Sequence, residues 1–458
     1  MTESEGPKLR RALGLSDCVL YVVGSIVGTG IFLSVGQIAR KVPSPGWILL
    51  AWLLGGLHAL AAGFTYAELG TRRPEAGGAY VFLSETFGRL PAFLFNWAMS
   101  FVIMPASVAA LAVGFAEYLG AFFPELGTAR HAFDLPFHIA VSQGQLVAIA
   151  MALLLTIWNC IGIKEGGLLN DGLTLLKIAS VLALIFFGLT AARAHVPSLA
   201  LTAPSGASPG FLLSFGGALA GVLWSYDGWI NIAALGGEVK NPKRDIPGGL
   251  VLGVLIVIGL YLATNLVYLM ALPVSALGAT PRAAESVVHA LFGSGAARWI
   301  TAAVLVSVLG SLSANIIPGP RISYATAKDG LLPRPFARLH PEHETPAFGL
   351  MFQGLLGAAM VLTGSFDQLV EMIAFAGTLF YALGGASIFV YRKRNPEAPY
   401  LCPGYPYVPI VYVAASVLFA LAILVDAPVA AAKGTAILAL GAVVYLLKSR
   451  GRAQATGP

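Results

Sequence analysis

Trp224-Ser225-Tyr226-Asp227-Gly228-Trp229 sets a carboxylate and a glycine inside a stretch that is otherwise apolar. Insertion scales put an aspartate at the centre of a membrane-spanning helix at roughly +2.5 to +3.5 kcal/mol, so a charge here marks a functional position. Beside it, Gly228 weakens the helix. A second apolar stretch, near the N-terminus, is interrupted in the same way at Gly24-Ser25-Ile26-Val27-Gly28-Thr29-Gly30. Two glycine-interrupted hydrophobic segments in corresponding positions of two halves point to a site near the bilayer midplane.

The composition supports a membrane setting. The 458 residues are 57% hydrophobic and 11% charged, with mean hydropathy +0.79, whereas a soluble domain carries about 25% charged residues. No cleavable signal peptide is expected. Met1 to Arg11 is polar and basic, and the apolar run from about Leu15 is too long for a signal and lacks a small-residue cleavage site. The net charge of +6 does not indicate nucleic acid, because the basic residues are scattered over short loops. Cys18, Cys160 and Cys402 stand far apart without metal-ligand spacing. With no His/Glu cluster and no GxxxxGK loop, the chain is expected to use neither a metal nor a cofactor.

A spanning helix needs about 20 apolar residues. The sequence predicts twelve, at 15–40, 46–69, 91–120, 142–161, 168–191, 211–237, 248–272, 297–325, 347–364, 368–391, 406–425 and 428–447. Of the 28 lysines and arginines, twenty fall in the N-terminal tail and the loops on its side, seven fall on the other side, and Lys177 lies inside the fifth span. The positive-inside bias predicts that both termini, 1–14 and 448–458, are cytoplasmic. Spans one to five (15–191) and six to ten (211–391) each open with an interrupted helix. Each then carries an amphipathic stretch after its second span, Arg72 to Arg89 and Ser275 to Ala297. Five is odd, so the second copy enters from the opposite face as an inverted repeat. Spans eleven and twelve (406–447) follow a short Pro-containing linker and read as an appendage.

Irregular backbone at membrane depth needs protein or water to satisfy its polar groups. Amides freed at Gly28-Thr29-Gly30, at the start of a half-helix Ile31 to Arg40, suit an anionic group. Carbonyls near Ile26, with those of Trp224 and Asp227 at the second break, suit an ammonium. A small zwitterion matches both. The alternative is that these glycines only let helices pack closely; two clusters in register favour the site. A bulky residue at Gly30 is then expected to abolish binding and leave the fold intact. Trp224 is either a packing aromatic or a lid over the substrate. Asp227 either caps the second half-helix or meets the substrate, and the two are compatible. Lys177 is too deep to snorkel, so its ammonium either replaces a sodium ion at an internal site or forms a structural salt bridge. His58, Asn96, Ser311 and Asn315 line the cavity or join helices. Glu68, Glu117, Glu371 and Asp426 read as interfacial, and Pro318 and Pro320 kink the eighth span.

At these residues a resemblance appears. Gly24 to Phe32 resembles the first-helix signature of the amino acid–polyamine–organocation superfamily. Tyr226-Asp227-Gly228-Trp229 followed by Glu238-Val239-Lys240-Asn241-Pro242-Lys243-Arg244-Asp245-Ile246-Pro247 resembles its L-type amino acid transporter branch, bacterial serine/threonine exchangers in particular. Pro74-Glu75-Ala76-Gly77-Gly78-Ala79-Tyr80 resembles a third family motif. The resemblance covers nearly the whole chain. It implies an all-α polytopic membrane protein of LeuT-type fold, 5+5 inverted repeats plus two C-terminal helices, in the inner membrane of a bacterium, working by alternating access. It implies that Thr29 and Gly30 hold the substrate carboxylate and that the Ile26, Trp224 and Asp227 carbonyls hold its amine, with Gly28 and Gly228 completing the substrate-binding set. Trp224 would gate, and Lys177 would match the fifth-span lysine of sodium-independent members. Eukaryotic members couple to a heavy chain through a cysteine after span three. The corresponding loop here, Ala121 to Val141, has none, so no disulfide-linked heavy chain is expected.

The function expected is sodium-independent exchange of neutral L-amino acids, small ones such as alanine, serine or threonine. Proton-coupled symport with Lys177 titrating, and transport of cationic amino acids or polyamines on Asp227, are the alternatives. A membrane enzyme or sensor has no nucleophile–base pair or metal site in its favour.

Overall fold

The computed structural model describes residues 11–455 except 43, 75–76, 137–138, 162, 192–196, 202–208 and 363–365. Residues 1–10 of the expected N-terminal tail, 456–458 of the C-terminal tail, and Glu75 and Ala76 of the third motif lie outside the described residues. The chain is a helical bundle. In order it forms α1 (Leu15–Ile26), α2 (Val35–Lys41), α3 (Pro45–Arg72), α4 (Ala79–Phe87), α5 (Arg89–Ala98) and α6 (Met104–Phe122), then an antiparallel hairpin of β1 (His131–Leu135) and β2 (Ile139–Ser142). There follow α7 (Gln143–Cys160), α8 (Ile163–Ala191), α9 (Pro209–Ser225), α10 (Asn231–Ala234), α11 (Pro242–Ala271), α12 (Val274–Ala279) and α13 (Ala283–Ile316). The last are α14 (Pro318–Lys328), α15 (Ala347–Val361), α16 (Phe366–Arg394), α17 (Tyr407–Asp426) and α18 (Pro428–Ala455).

Among the described residues, ten helical stretches are long and apolar enough to cross a membrane. Two shorter apolar helices, Gly210–Ser225 and Ala347–Val361, lie where the sixth and ninth spans are expected. The stretches Leu15–Lys41 and Arg89–Phe122 are mostly buried, whereas Gln143–Cys160, Tyr407–Asp426 and Pro428–Lys448 are little buried and lie on the bundle's outside. The apolar outer helices therefore face lipid, and the interrupted ones form the middle. α1 seats against α11 through small residues. A Cβ on Gly249 would meet Cys18 Cβ at 2.7 Å, and one on Gly253 would meet Val22 Cβ at 2.8 Å. This small-xxx-small face lets the two backbones approach.

Several polar residues do more than the sequence reading allows. Glu68, expected at an interface, is fully buried. Its carboxylate accepts from Arg72 Nη2 at 2.7 Å, Arg392 Nη2 at 2.6 Å and the Cys402 amide at 2.8 Å. Arg392 also lies over the Tyr405 ring, 3.9 Å from its centroid. Glu68 thus ties the linker before α17 to α3 and α16, which a local reading of hydropathy cannot register. Glu117 accepts from Thr128, and Glu371 and Asp426 both take Lys41. Burial, helped by the Glu68 charge, pushes the Cys402 thiol up to about 11. Since the thiolate is the nucleophile, Cys402 should resist iodoacetamide at pH 8 in the folded protein and react after unfolding. Rapid labelling of folded protein would show the loop to be open.

Candidate functional site

Both interruptions are present. α1 ends at Ile26, Val27 is extended (ψ 90°), and the helix resumes as a π-helical turn over Gly30–Ser34 that runs into α2. The half-helix expected from Ile31 to Arg40 therefore begins as a wider turn, with the Thr29 carbonyl accepting from both the Phe32 and Leu33 amides. Among the described residues, the Gly28 and Thr29 amides find no backbone acceptor. The second interruption runs from Tyr226 to Ile230, between α9 and the single turn α10.

The capping reading of Asp227 needs correction. α10 starts at Asn231 with Ile230 at its N-cap. The Asp227 carboxylate instead accepts from the Gly228 amide at 2.8 Å. Gly228 has φ +114°, which turns the chain before the helix restarts and leaves Asp227 inside the turn.

The two breaks pack against each other reciprocally. A Cβ on Gly228 would meet the Ser25 carbonyl carbon and oxygen at 2.8 Å, and a Cβ on Gly30 would meet Ser225 Oγ at 2.5 Å and Cα at 2.7 Å. Each glycine accommodates the other break's backbone, so close packing and site formation coincide. The Tyr261 hydroxyl of α11 lies 3.0 Å from the carbonyl oxygens of both Ile26 and Ser225 and shares its one proton between them.

A cavity of about 20 Å³ lies between the breaks. Ile26, Gly28, Thr29, Gly30, Trp224 and Asp227 line it, and Gly228 stands behind them against Ser25. Sequence reasoning did not single out the other wall residues Ser25, Ser107, Leu111 and Ser225, and left Asn315 among weak signals. Ser107 and Leu111 belong to α6, whose uniformly small and apolar sequence hides which face turns inward. A water needs about 10–15 Å³ by this measure, so the cavity has room for one water and must widen to admit anything larger. Ser25 Oγ and Thr29 Oγ1 are buried there without a hydrogen-bond partner among the described residues. Burying such a group costs about 1–3 kcal/mol, so a polar ligand that reaches them gains by relieving it.

Asp227 and Trp224 also line a second cavity of about 30 Å³, together with His58, Thr378 and Tyr381. The His58 ring lies 2.8 Å from Ser416 Oγ. Asn96 Oδ1 accepts from Ser100 and Ser323, joining helices. Trp224 packs edge-on to Phe366 at 5.2 Å, at the boundary between the site and the end of the bundle that carries Lys41. That end is closed by Arg40 on Asp367 at 3.0 Å and by Lys41 on Glu371 and Asp426. The opposite end is closed by the Arg321–Glu238 pair, both partners only 2% exposed, and by Tyr80 donating to Asp329 at 2.6 Å.

Lys177 is 1% exposed, so its ammonium cannot reach water. Nζ donates to the Gly24 carbonyl at 2.8 Å and to Ser311 Oγ at 2.6 Å, and among the described residues no carboxylate pairs with it. Its partners here are thus a carbonyl and a hydroxyl, not a carboxylate. Ser311 Oγ also lies 2.8 Å from the Val27 carbonyl, and Asn315 Nδ2 donates to the Ser25 carbonyl at 3.3 Å. A point charge and two polar side chains of α13 thus neutralise the carbonyls that α1 exposes where it unwinds. Among the described residues, no cluster of three His, Cys, Asp or Glu could hold a metal.

Comparison with known proteins agrees with the motifs. Residues 13–447 match the family model described as Amino acid permease. The chain is 32% identical over 420 residues to the serine/threonine exchanger SteT of Bacillus subtilis (strain 168), an alignment covering 91% of each chain. It is 27% identical over 437 residues to the b(0,+)-type amino acid transporter 1 of Mus musculus, covering 93% of this chain and 85% of that one. It is also 27% identical over 465 residues to the branched-chain amino acid permease BcaP of Bacillus subtilis (strain 168), covering 96% and 94%.

Proposed function

This chain belongs to the amino acid permease family, transporters and not enzymes, and from that premise we propose a sodium-independent, alternating-access exchanger of small neutral L-amino acids such as alanine, serine and threonine. The observation that carries the reading is the cavity between two facing helix breaks, lined by Ile26, Gly28, Thr29, Gly30, Trp224 and Asp227, where the Gly28 and Thr29 amides lack a backbone acceptor. The substrate carboxylate meets the amides around Gly28, Thr29 and Gly30, where the half-helix dipole favours negative charge. Its ammonium meets the carbonyls of Ile26, Trp224 and Asp227. Trp224 closes over the side chain, backed by Phe366. Lys177 supplies, from within the chain, the positive charge that a coupling sodium ion would bring, which supports sodium independence. The preference for small side chains rests on the likeness to a serine/threonine exchanger.

The architecture that goes with this reading has twelve spans, 15–191 and 211–391 as inverted five-helix repeats, spans at 406–447 as an addition, and both tails, 1–14 and 448–458, cytoplasmic. The chain works without a disulfide-linked heavy chain. Counterflow in proteoliposomes tests the function. Uptake of labelled L-serine that requires L-serine or L-threonine inside supports exchange, whereas uptake driven by a pH gradient alone replaces it with proton symport. The Asp227 carboxylate on the cavity wall favours one second reading, a cationic substrate. Competition by arginine or putrescine stronger than by serine would establish it.

A further inference from the structure

Ile316-Ile317-Pro318-Gly319-Pro320-Arg321 removes two rungs from the backbone ladder of the eighth expected span. Proline has no amide hydrogen, so Pro318 cannot donate to the Ala314 carbonyl and Pro320 cannot donate to that of Ile316. The helix is divided there, α13 ending at Ile316 and α14 starting at Pro318. Side chains from two other helices meet both orphaned oxygens. The Tyr21 hydroxyl of α1 donates to the Ala314 carbonyl at 3.3 Å, and Gln353 Nε2 of α15 donates to the Ile316 carbonyl at 3.1 Å. Both donors are buried. α15 can come this close because Gly349 faces Pro320, where a Cβ would meet Pro320 Cβ at 3.1 Å.

The two sides of the divide are fastened to opposite ends of the first helix. On the α13 side, Ser311 and Asn315 hold the first helix break. On the α14 side, Arg321 pairs with Glu238, whose carbonyl accepts from the Ala12 and Leu13 amides at 2.8 and 3.0 Å. Leu13 pairs with Val239, and its carbonyl accepts from the Lys240 amide at 2.8 Å. The residues just before α1, the segment 236–240 and α14 therefore form one hydrogen-bonded group.

We propose that Ala314–Pro320 is a joint on which α14 swings with that group when the site opens, and that Tyr21 and Gln353 are positioning residues that hold the joint closed. A ladder of backbone bonds resists bending at every rung. Here two rungs are replaced by side-chain donors, which can release and re-form as single contacts. The joint stands independently of which amino acid is carried.

A double-mutant cycle tests it, with thermal unfolding of the purified protein and L-serine counterflow as readouts. Pro320→Ala returns an amide to the Ile316 carbonyl. It is expected to raise the unfolding midpoint, lower turnover about tenfold and leave half-saturation unchanged, a split that a static kink would not produce. Gln353→Leu is expected to lower the midpoint in the natural chain and to leave it unchanged in the Pro320→Ala background. An equal loss in both backgrounds, or full-rate counterflow by Pro320→Ala, would overturn the joint. Should Gln353→Leu not fold, Tyr21→Phe with Pro318→Ala makes the same cycle at the Ala314 carbonyl. The unfolding arm tests the contacts without substrate, and the turnover arm, run with whichever amino acid the chain exchanges, tests the swing if the serine reading fails.

Discussion

Lys177→Ala is expected to lower exchange by more than about 100-fold while the protein still inserts and purifies. The ammonium supplies donors to the Gly24 carbonyl and to Ser311 Oγ, and Ser311 in turn lies against Val27. Removing it strands buried acceptors worth about 1–3 kcal/mol each and leaves a gap where α1 unwinds. Relaxing that gap moves Ile26 and Thr29, which wall the cavity, so the loss falls on function before it falls on the fold. Arginine should not substitute, because its planar fork is larger and places its protons differently. The measurement is counterflow normalised to the amount of protein in the vesicle. Full activity would reduce Lys177 to an ordinary tie between α8 and α1.

Gly228→Ala and Gly30→Ala are expected to be nearly as damaging, for a reason the sequence reading of Gly30 lacked. A side chain at the Gly228 backbone angle of φ +114° is strained by about 1–2 kcal/mol, and its Cβ would sit 2.8 Å from Ser25 backbone atoms. At Gly30 the obstacle is Ser225 Cα at 2.7 Å. Neither neighbour is the far end of a flexible side chain, so the two breaks must separate and their donors and acceptors lose register. We expect each variant to unfold at a lower temperature and to gain no further stability when L-serine is added. The expectation that a bulky residue at Gly30 spares the fold thus gives way to loss of packing and site together. Gly259→Ala is the control, since a Cβ there meets nothing within 4 Å, and it should behave as the natural chain. Unaltered half-saturation in either break variant would detach these glycines from the site.

What was legible in the sequence was local. A carboxylate, a lysine and paired glycines inside apolar runs contradict the cost of membrane burial, and that contradiction located both breaks and Lys177 before any contact was known. The motif around Glu238 to Pro247 supported the family on the same local terms. The sequence leaves Asp227 open between cap and substrate contact because the turn's length depends on Gly228 taking a positive φ, which the one-dimensional pattern does not specify.

The sequence by itself determined that this chain is a bundle of apolar helices and where two of them come apart, because hydrophobicity and helix breaking act over a few residues. Only the tertiary structure decided that Gly30 meets Ser225, that Gly228 meets Ser25, that Tyr261 bridges the two breaks, and that Tyr21 and Gln353 serve carbonyls orphaned by prolines. In an apolar bundle nearly every helix face is hydrophobic, so periodicity does not say which face turns inward. Close packing between residues hundreds of positions apart selects it.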